Sequence, residues 1–178
     1  MTTPTPMRGH RAVPHTADIR IEAWAPTRDE CIAEAVLGLV DSFADVTGVR
    51  PERLVTVSVP EGPAEDILLA VLDEVIYRLE VHGDVPVDIE AAEVEAAEVE
   101  TEGGEGAQGG SGSEAGAIGA ETGDEEPVAA EGALDLRLAV TGTEHVEAVG
   151  AQPKAVALHG LRFAAEHGRW SCAVTVDV

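Results

Sequence analysis

The chain is poor in basic residues, in paired cysteines and in long apolar runs, and each shortage excludes some classes of protein. Only 11 of its 178 residues are Lys or Arg, against 34 Asp and Glu, which gives a formal net charge of -23. Because few cations are available to neutralise phosphates, a general nucleic-acid-binding domain is disfavoured and no direct high-affinity nucleic-acid binding is expected. No stretch approaches the roughly 20 apolar residues of a membrane span. Residues 1–11 also lack the apolar run of a signal peptide, so we expect a cytoplasmic protein without a membrane partner.

The usual signatures of catalysis and soft-metal binding are missing as well. Cys31 and Cys172 lie far apart and neither belongs to a C-x-x-C pair, so both are interpreted as small buried apolar residues rather than redox or nucleophilic groups. The sequence has no glycine-rich phosphate loop, no G-x-S-x-G elbow and no H-E-x-x-H helix. The motifs therefore favour a protein without a catalytic centre of its own.

The negative charge is concentrated in one part of the chain. Residues 88–132 carry 14 acidic residues and no Lys or Arg. Residues 101–132 consist mainly of Gly, Glu, Ala and Ser, with too little apolar surface to offset the entropy of ordering them. We predict one domain over residues 1–178, with a disordered acidic insert at 101–132 and a flexible N-terminus at 1–11.

Hydrophobic periodicity predicts the rest of the domain. Strands alternate apolar and polar residues at every second position, and helices place apolar residues three and four apart. Thr27 and Glu30 have the spacing of a capping box, whereas Pro63 and Gly83 are placed to begin and end a second helix. The predicted order is strand 19–24, a helix after Thr27, strand 54–59, a helix from Pro63 to Gly83, strand 85–89, and strands 134–140, 155–163 and 170–176. The order predicts an α+β domain, in which two main helices pack on one face of a mixed β-sheet.

Polar residues at the ends of predicted strands are the candidates for function. Asp18 begins the first strand and Asp177 ends the last one, directly before Val178. If the first and last predicted strands were neighbours, Asp18 and Asp177 would lie close together. In a chain that ends at Val178, the α-carboxylate would add a third anionic group. Such a cluster needs a cation, and oxygen ligands favour a hard ion such as Ca²⁺, Mg²⁺ or Mn²⁺. Two solvated aspartates at strand ends are the alternative.

Three further residues are candidates for a functional surface. Lys154 is the only lysine of the chain, and its ammonium group is more compact than the guanidinium of the ten arginines. His15 and His159 are candidates for ligands or proton carriers, although a single histidine near a strand end is commonly a hydrogen-bonded structural residue.

Four blocks of sequence together resemble the archease family, the protein partners of RtcB-type RNA-splicing ligases. They are PHTADIRIEAWAPTRDECIAEAVLGLVD, EDILLAVLDEVIYRLEVHG, KAVALHGL and the ending AVTVDV. With the strands between them they cover nearly the whole chain outside the insert. The sequence departs from the family at Ala157 and Leu158, where polar or aromatic residues are common, and at the insert, which replaces a short connection.

The resemblance implies a function as well as a fold. It implies a non-catalytic activator that promotes guanylylation and multiple turnover of the tRNA-splicing ligase and can alter the nucleotide that the ligase accepts. It also implies a metal site, usually described as calcium-binding, at Asp18, Asp177 and Val178. His15, Lys154 and His159 would line the same functional surface.

Two other classes of function remain open at this point. A small metal-dependent phosphoester hydrolase would use a cleft and a general base such as His15. A chaperone-like binding module would recruit basic clients through the acidic insert.

Overall fold

The structure is a computed structural model that describes residues 6–14, 17–92 and 132–178. By its internal contacts the chain divides into one unit of residues 1–94 and 129–178 and a second unit of residues 95–128. The second unit lies outside the described residues, as does the predicted disordered insert up to residue 131. The elements in chain order are β1 Gly9–Pro14, β2 Asp18–Ala25, α1 Arg28–Asp41, β3 Ala44–Asp45, β4 Arg53–Val59, α2 Ala64–His82, β5 Asp84–Ala92, β6 Leu134–Gly142, β7 Glu147–Ala148, β8 Ala155–Glu166 and β9 Arg169–Asp177.

The α+β class with two main helices is confirmed, and the strand pairing is more specific than predicted. The larger sheets have the orders β1-β2-β9-β8 and β4-β6-β5, and β3 pairs with β7. Every strand pairing within the described residues is antiparallel, so the sheets are not mixed as predicted. Alternation of apolar and polar residues shows which face of a strand is buried, but it carries no information on the direction of its neighbour.

The core lies where the two helices pack against the inner faces of the four-stranded and the three-stranded sheets. On β2 the side chains of Ile21, Ala23 and Ala25 are buried, and on β9 those of Val174 and Val176 are buried. Helix α1 contacts β1, β2 and β5, whereas α2 contacts β4, β5 and β8. Each fully buried Ile or Val side chain contributes about 1.5 to 3 kcal/mol, so these strands stabilise the fold together with the buried residues of the helices and of the three-stranded sheet.

The ends of both helices follow the predicted signals, with one difference. The Thr27 hydroxyl accepts a hydrogen bond from the Glu30 amide at 3.3 Å, and it donates one to the Glu30 carboxylate at 3.0 Å. The carboxylate therefore accepts from the hydroxyl rather than from the backbone amide that a capping box predicts. Helix α2 begins after Pro63 and ends at Gly83, whose left-handed backbone (φ 70°) suits a residue without a Cβ.

The N-terminal segment forms a strand where the sequence predicts flexibility. Gly9–Pro14 pairs with β2 along its whole length, so the flexible segment predicted at residues 1–11 differs from the structure at Gly9 and beyond. Two contacts hold this strand beyond its ladder: the Trp24 ring packs over Gly9, and its indole N–H donates to the Pro6 carbonyl at 3.1 Å. Sequence periodicity misses this because β1 is an edge strand with few apolar residues.

A cluster of charged side chains attaches β1 to helix α1. Glu34 of α1 is buried, and it accepts hydrogen bonds from Arg8 Nε at 2.6 Å and from His10 Nδ1 at 2.7 Å. His10 Nε2 also lies 2.8 Å from Asp41 Oδ2. Burial lowers the pKa of His10, but the hydrogen bonds with Asp41 and Glu34 outweigh it, so the pKa is raised above its usual value. When protonated, the ring donates to both carboxylates and, together with Arg8, offsets their negative charge.

This raised pKa makes the attachment of β1 sensitive to pH. A group whose pKa is higher in the folded state stabilises it below the unfolded value near 6.5, and this stabilisation is lost as the pH rises through the folded pKa. We expect His10→Gln to lower the free energy of unfolding most below pH 6.5 and progressively less above the folded pKa. Denaturant titrations across pH measure this, with His159→Gln as an exposed-histidine control. A His10→Gln deficit independent of pH would contradict it.

Gly38 allows α1 to lie close to the sheet. A Cβ at this position would lie 3.0 Å from Ile21 Cγ2 and 3.2 Å from His10 Cβ, closer than ordinary contacts. We expect Gly38→Ala to lower the free energy of unfolding by about 1 to 2 kcal/mol, because overpacking exceeds the gain in helix propensity. Gly62→Ala is the matched control, since a Cβ there meets nothing within 4 Å. Equal stability of the two variants in denaturant titrations would refute the close approach.

Candidate functional site

Asp18 and Asp177 face each other at one end of the four-stranded sheet. They are register partners in the antiparallel pair of β2 and β9. Directly opposite residues project from the same face of a sheet, with Cβ atoms about 5 Å apart, and two like charges in such a pair are unfavourable. Ile21 and Val174 of the same strands point into the core. Because side chains alternate between the two faces of a strand, Asp18 and Asp177 project from the outer face of the sheet. A bound cation at this position would relieve their repulsion.

Lys154 and Val178 lie at the same end of the sheet. The Lys154 backbone amide donates to the Asp177 carbonyl at 2.8 Å, and Ala155, the next residue, is the register partner of Asp177. The side chain of Lys154 is exposed. The structure thus brings together Asp18, Asp177, Val178 and Lys154, which are spread over 160 positions of sequence. His15 lies outside the described residues.

His159 lies further along β8, away from the register of the two aspartates. The pairing of β8 with β9 is interrupted between Ala157 and Arg162, and His159 is an exposed residue of this bulge. Gly160 has a φ of 76° there, which is favourable for glycine alone. Leu158, one of the two departures from the archease pattern, is 68% exposed in the same bulge. The structure thus does not place His159 with the aspartates.

The donor set at the aspartate pair fits a hard cation in kind but is incomplete in number. Among residues 6–14, 17–92 and 132–178, no group of three or more His, Cys, Asp or Glu side chains could hold a metal ion. Asp18 and Asp177 supply two carboxylates, whereas Ca²⁺ takes six to eight oxygen ligands, including backbone carbonyls and waters. Asp18 and Asp177 could hold such an ion together with the α-carboxylate of a chain that ends at Val178.

Both cysteines occupy structural positions. Cys31 and Cys172 are free and buried, as predicted. The Cys31 thiol donates to the Ala23 carbonyl at 3.6 Å, and Cys172 is the register partner of Ala23, so the two thiols flank one residue of β2. A hydrogen bond with Cys172, together with burial, raises the pKa of Cys31. A thiol held in its neutral form is a poor nucleophile.

The outer face of the four-stranded sheet holds a group of residues that sequence reasoning missed. Each strand contributes one arginine to an open cavity of about 440 Å³. We call this group the arginine face: Arg11, Arg20, Arg162 and Arg169. Glu22 lies between the first two, and its pKa is lowered by the hydrogen bond from Arg11 and by that from Arg20, against the opposing effect of burial. The alternation of polar and apolar residues indicates that each arginine lies on the outer face of its strand. Only the strand register shows that the four arginines lie together.

Comparison with known proteins identifies a family and a fold. Residues 10–178 match the family model of the Archease protein family. A Mycobacterium tuberculosis protein named "Probable protein archease" is 39% identical over 170 residues, which cover 96% of this chain and 75% of that protein. The solution structure of Methanobacterium thermoautotrophicum protein 1598 has a TM-score of 0.62 at 16% identity, covering 96% of this chain and 99% of that one.

A second solved structure has the same fold. It is the crystal structure of an archease from Thermotoga maritima, described as a "possible chaperone", with a TM-score of 0.53 at 16% identity over 100% of this chain and 99% of that one. The architecture and the aspartate pair define a small α+β protein with its charged end where β2 meets the last strand, β9. With the family match over residues 10–178 and the 39% identity, the chain belongs to the archease family. Neither helix in the described part of the chain is long and apolar enough to cross a membrane.

The aspartate pair makes a prediction for metal-dependent stability. We expect Ca²⁺ to raise the free energy of unfolding of the unmodified protein by about 2.7 kcal/mol at a hundredfold excess over its dissociation constant, because it binds the folded state alone. Asp177→Asn should abolish most of this gain, whereas Asp135→Asn, the same change on β6, should retain it. Thermal and denaturant unfolding with Ca²⁺ or a chelator measure both. An undiminished calcium response in Asp177→Asn would exclude the site.

Proposed function

We propose that this protein is a non-catalytic activator of an RtcB-type RNA-splicing ligase in the cytoplasm, acting in tRNA processing. The observation that carries the proposal is the family match over residues 10–178, which includes the H-T-A-D motif and the terminal D-V pair. The register of Asp18 with Asp177 supports it, because the two acidic residues of these motifs occupy one place in the fold. Its action would be to promote guanylylation of the ligase, to permit multiple turnover and to alter nucleotide specificity.

The residues at this end of the sheet would act by positioning. Asp18, Asp177 and the Val178 carboxylate would hold a hard cation, most readily Ca²⁺ with Mg²⁺ or Mn²⁺ as alternatives, and that cation would supply positive charge for phosphate oxygens. Lys154 would add a compact, mobile cation beside the carboxylates. Asp177 and Lys154 are exposed, and Asp18 and Val178 are half-buried, so this end of the sheet can contact a partner surface. His15 and His159 would contribute to this surface if it extends along the neighbouring segments.

Ligation with limiting ligase tests the proposal. We expect the purified protein to raise product above one turnover per ligase when GTP is supplied, and Asp18→Ala or Asp177→Ala to reduce this stimulation by about tenfold or more, the scale of losing a metal-site contact. Asp135→Ala is the matched control, since it removes the same group from the other sheet. Circular dichroism establishes that each variant is folded. Full stimulation by both folded variants would refute a role for the pair, and absence of stimulation by the unmodified protein would refute the function.

A chaperone-like binding protein is the second candidate. The Thermotoga maritima protein with the same fold is described as a "possible chaperone". In this alternative the acidic residues of 101–132 would recruit basic clients. Deleting residues 101–132 discriminates between the two functions. Loss of partner binding would favour the chaperone-like function, whereas intact ligase stimulation would favour the activator.

A further inference from the structure

We propose that the arginine face binds the phosphate groups of a nucleotide or of an RNA strand. Four of the ten arginines of a strongly acidic chain converge on one sheet face, one from each of its four strands. Nothing in the aspartate pair requires them, and the proposal does not rest on a ligase partner. The shared chemistry of the ligand is a phosphate ester with at least two negative charges.

The strand register explains how the cavity is formed. Arg11, Glu22, Ala173 and Arg162 form one row across all four strands. The neighbouring row contains Ser171 and Ala164, and its position on β2 is Trp24. The small side chains of Ala164, Ser171 and Ala173, beside longer ones, leave a depression of about 440 Å³ that is lined by guanidinium groups. A flat sheet face carrying large residues throughout would have no such recess.

The charges in the recess are only partly compensated. The single carboxylate of Glu22 accepts from Arg11 Nε at 2.6 Å and from Arg20 Nε at 3.2 Å, so two guanidiniums share one anion. Within the described part of the chain, neither Arg162 nor Arg169 forms an ion pair. Glu166 is the only other acidic residue that lines the cavity. The recess therefore keeps an excess of positive charge and unused N–H donors.

Phosphate fits this arrangement better than an acidic peptide does. Guanidinium groups present planar pairs of N–H donors that match phosphate oxygens, and Trp24 offers an aromatic surface on which a base can stack. Asp18 and Asp177 lie on the same face, one row beyond Arg20, so negative charge bounds the positive recess at that end. The overall charge of -23 limits binding to a few phosphates, which agrees with the absence of high-affinity nucleic-acid binding expected from composition.

Binding measurements on the full chain test the proposal without any ligase. Isothermal titration in low salt and chelator would use GTP, a ten-nucleotide single-stranded RNA and a ten-residue polyglutamate as probes. We expect GTP or RNA to bind, and Arg162→Gln or Arg11→Gln to weaken binding by about tenfold each, the size of one charge-assisted hydrogen bond. Arg137→Gln, which removes the same charge from an exposed position on β6, should leave affinity within about twofold.

The probes also identify the source of the phosphate. Affinity that is equal for GTP and RNA indicates a nucleotide site, whereas affinity that increases with RNA length indicates a strand; both support the proposal. Tighter binding of polyglutamate than of either phosphate ligand would overturn it in favour of an acidic protein partner. Equal losses in Arg162→Gln and Arg137→Gln would overturn it as well, because attraction would then depend on net charge alone, and absence of any phosphate binding would do the same.

Discussion

The pairing of β2 with β9 is the contact on which the rest of the molecule depends. It joins residues near the start of the sequence to residues at its end through eight register pairs, from Asp18 with Asp177 to Ala25 with Trp170. Its inner face presents Ile21 and Val174 to the helices, and its outer face carries the charged groups. One hydrogen-bonded ladder thus supplies both the centre of the core and the place where the two aspartates meet. Contacts of this sequence separation carry a larger loop-closure entropy than local contacts, so they depend on the burial that the rest of the domain supplies.

Local structure was predictable because its causes are local. Thr27, Pro63 and Gly83 bound the helices through hydrogen bonds and backbone angles of a few neighbouring residues. The turn between β8 and β9 follows the same rule, since His167 and Gly168 both have positive φ, as a two-residue hairpin of type I′ requires. Both helices and six of the nine strands in the described residues could therefore be predicted in kind and approximate position from spacing, whereas β1, β3 and β7 could not.

What escaped prediction depends on contacts between distant segments. Gly9 pairs as a strand because Trp24 covers it, and nothing within residues 1–11 indicates that cover. The direction of each strand, and the residues that lie side by side across the sheet, depend on tertiary packing. The antiparallel pairing and the arginine face could therefore not be predicted from the sequence. For Asp18 and Asp177, residue type and position at strand ends indicated the candidates, whereas only the fold shows that the two residues lie opposite each other. The position of His159 could not be predicted either, because it depends on the bulge in β8.

The connection between β5 and β6 has a consequence for how this chain can vary. Ala92 and Asp135 are register partners, so the chain leaves and re-enters the three-stranded sheet at adjacent positions. Doubling the length of a flexible connection costs only about 0.6 kcal/mol of closure entropy, and the ladder itself holds the two ends. Insertions or deletions between these strands therefore add little closure entropy while Ala92 stays opposite Asp135. The length of the chain at this point can thus vary without a change in the pairing of β5 with β6.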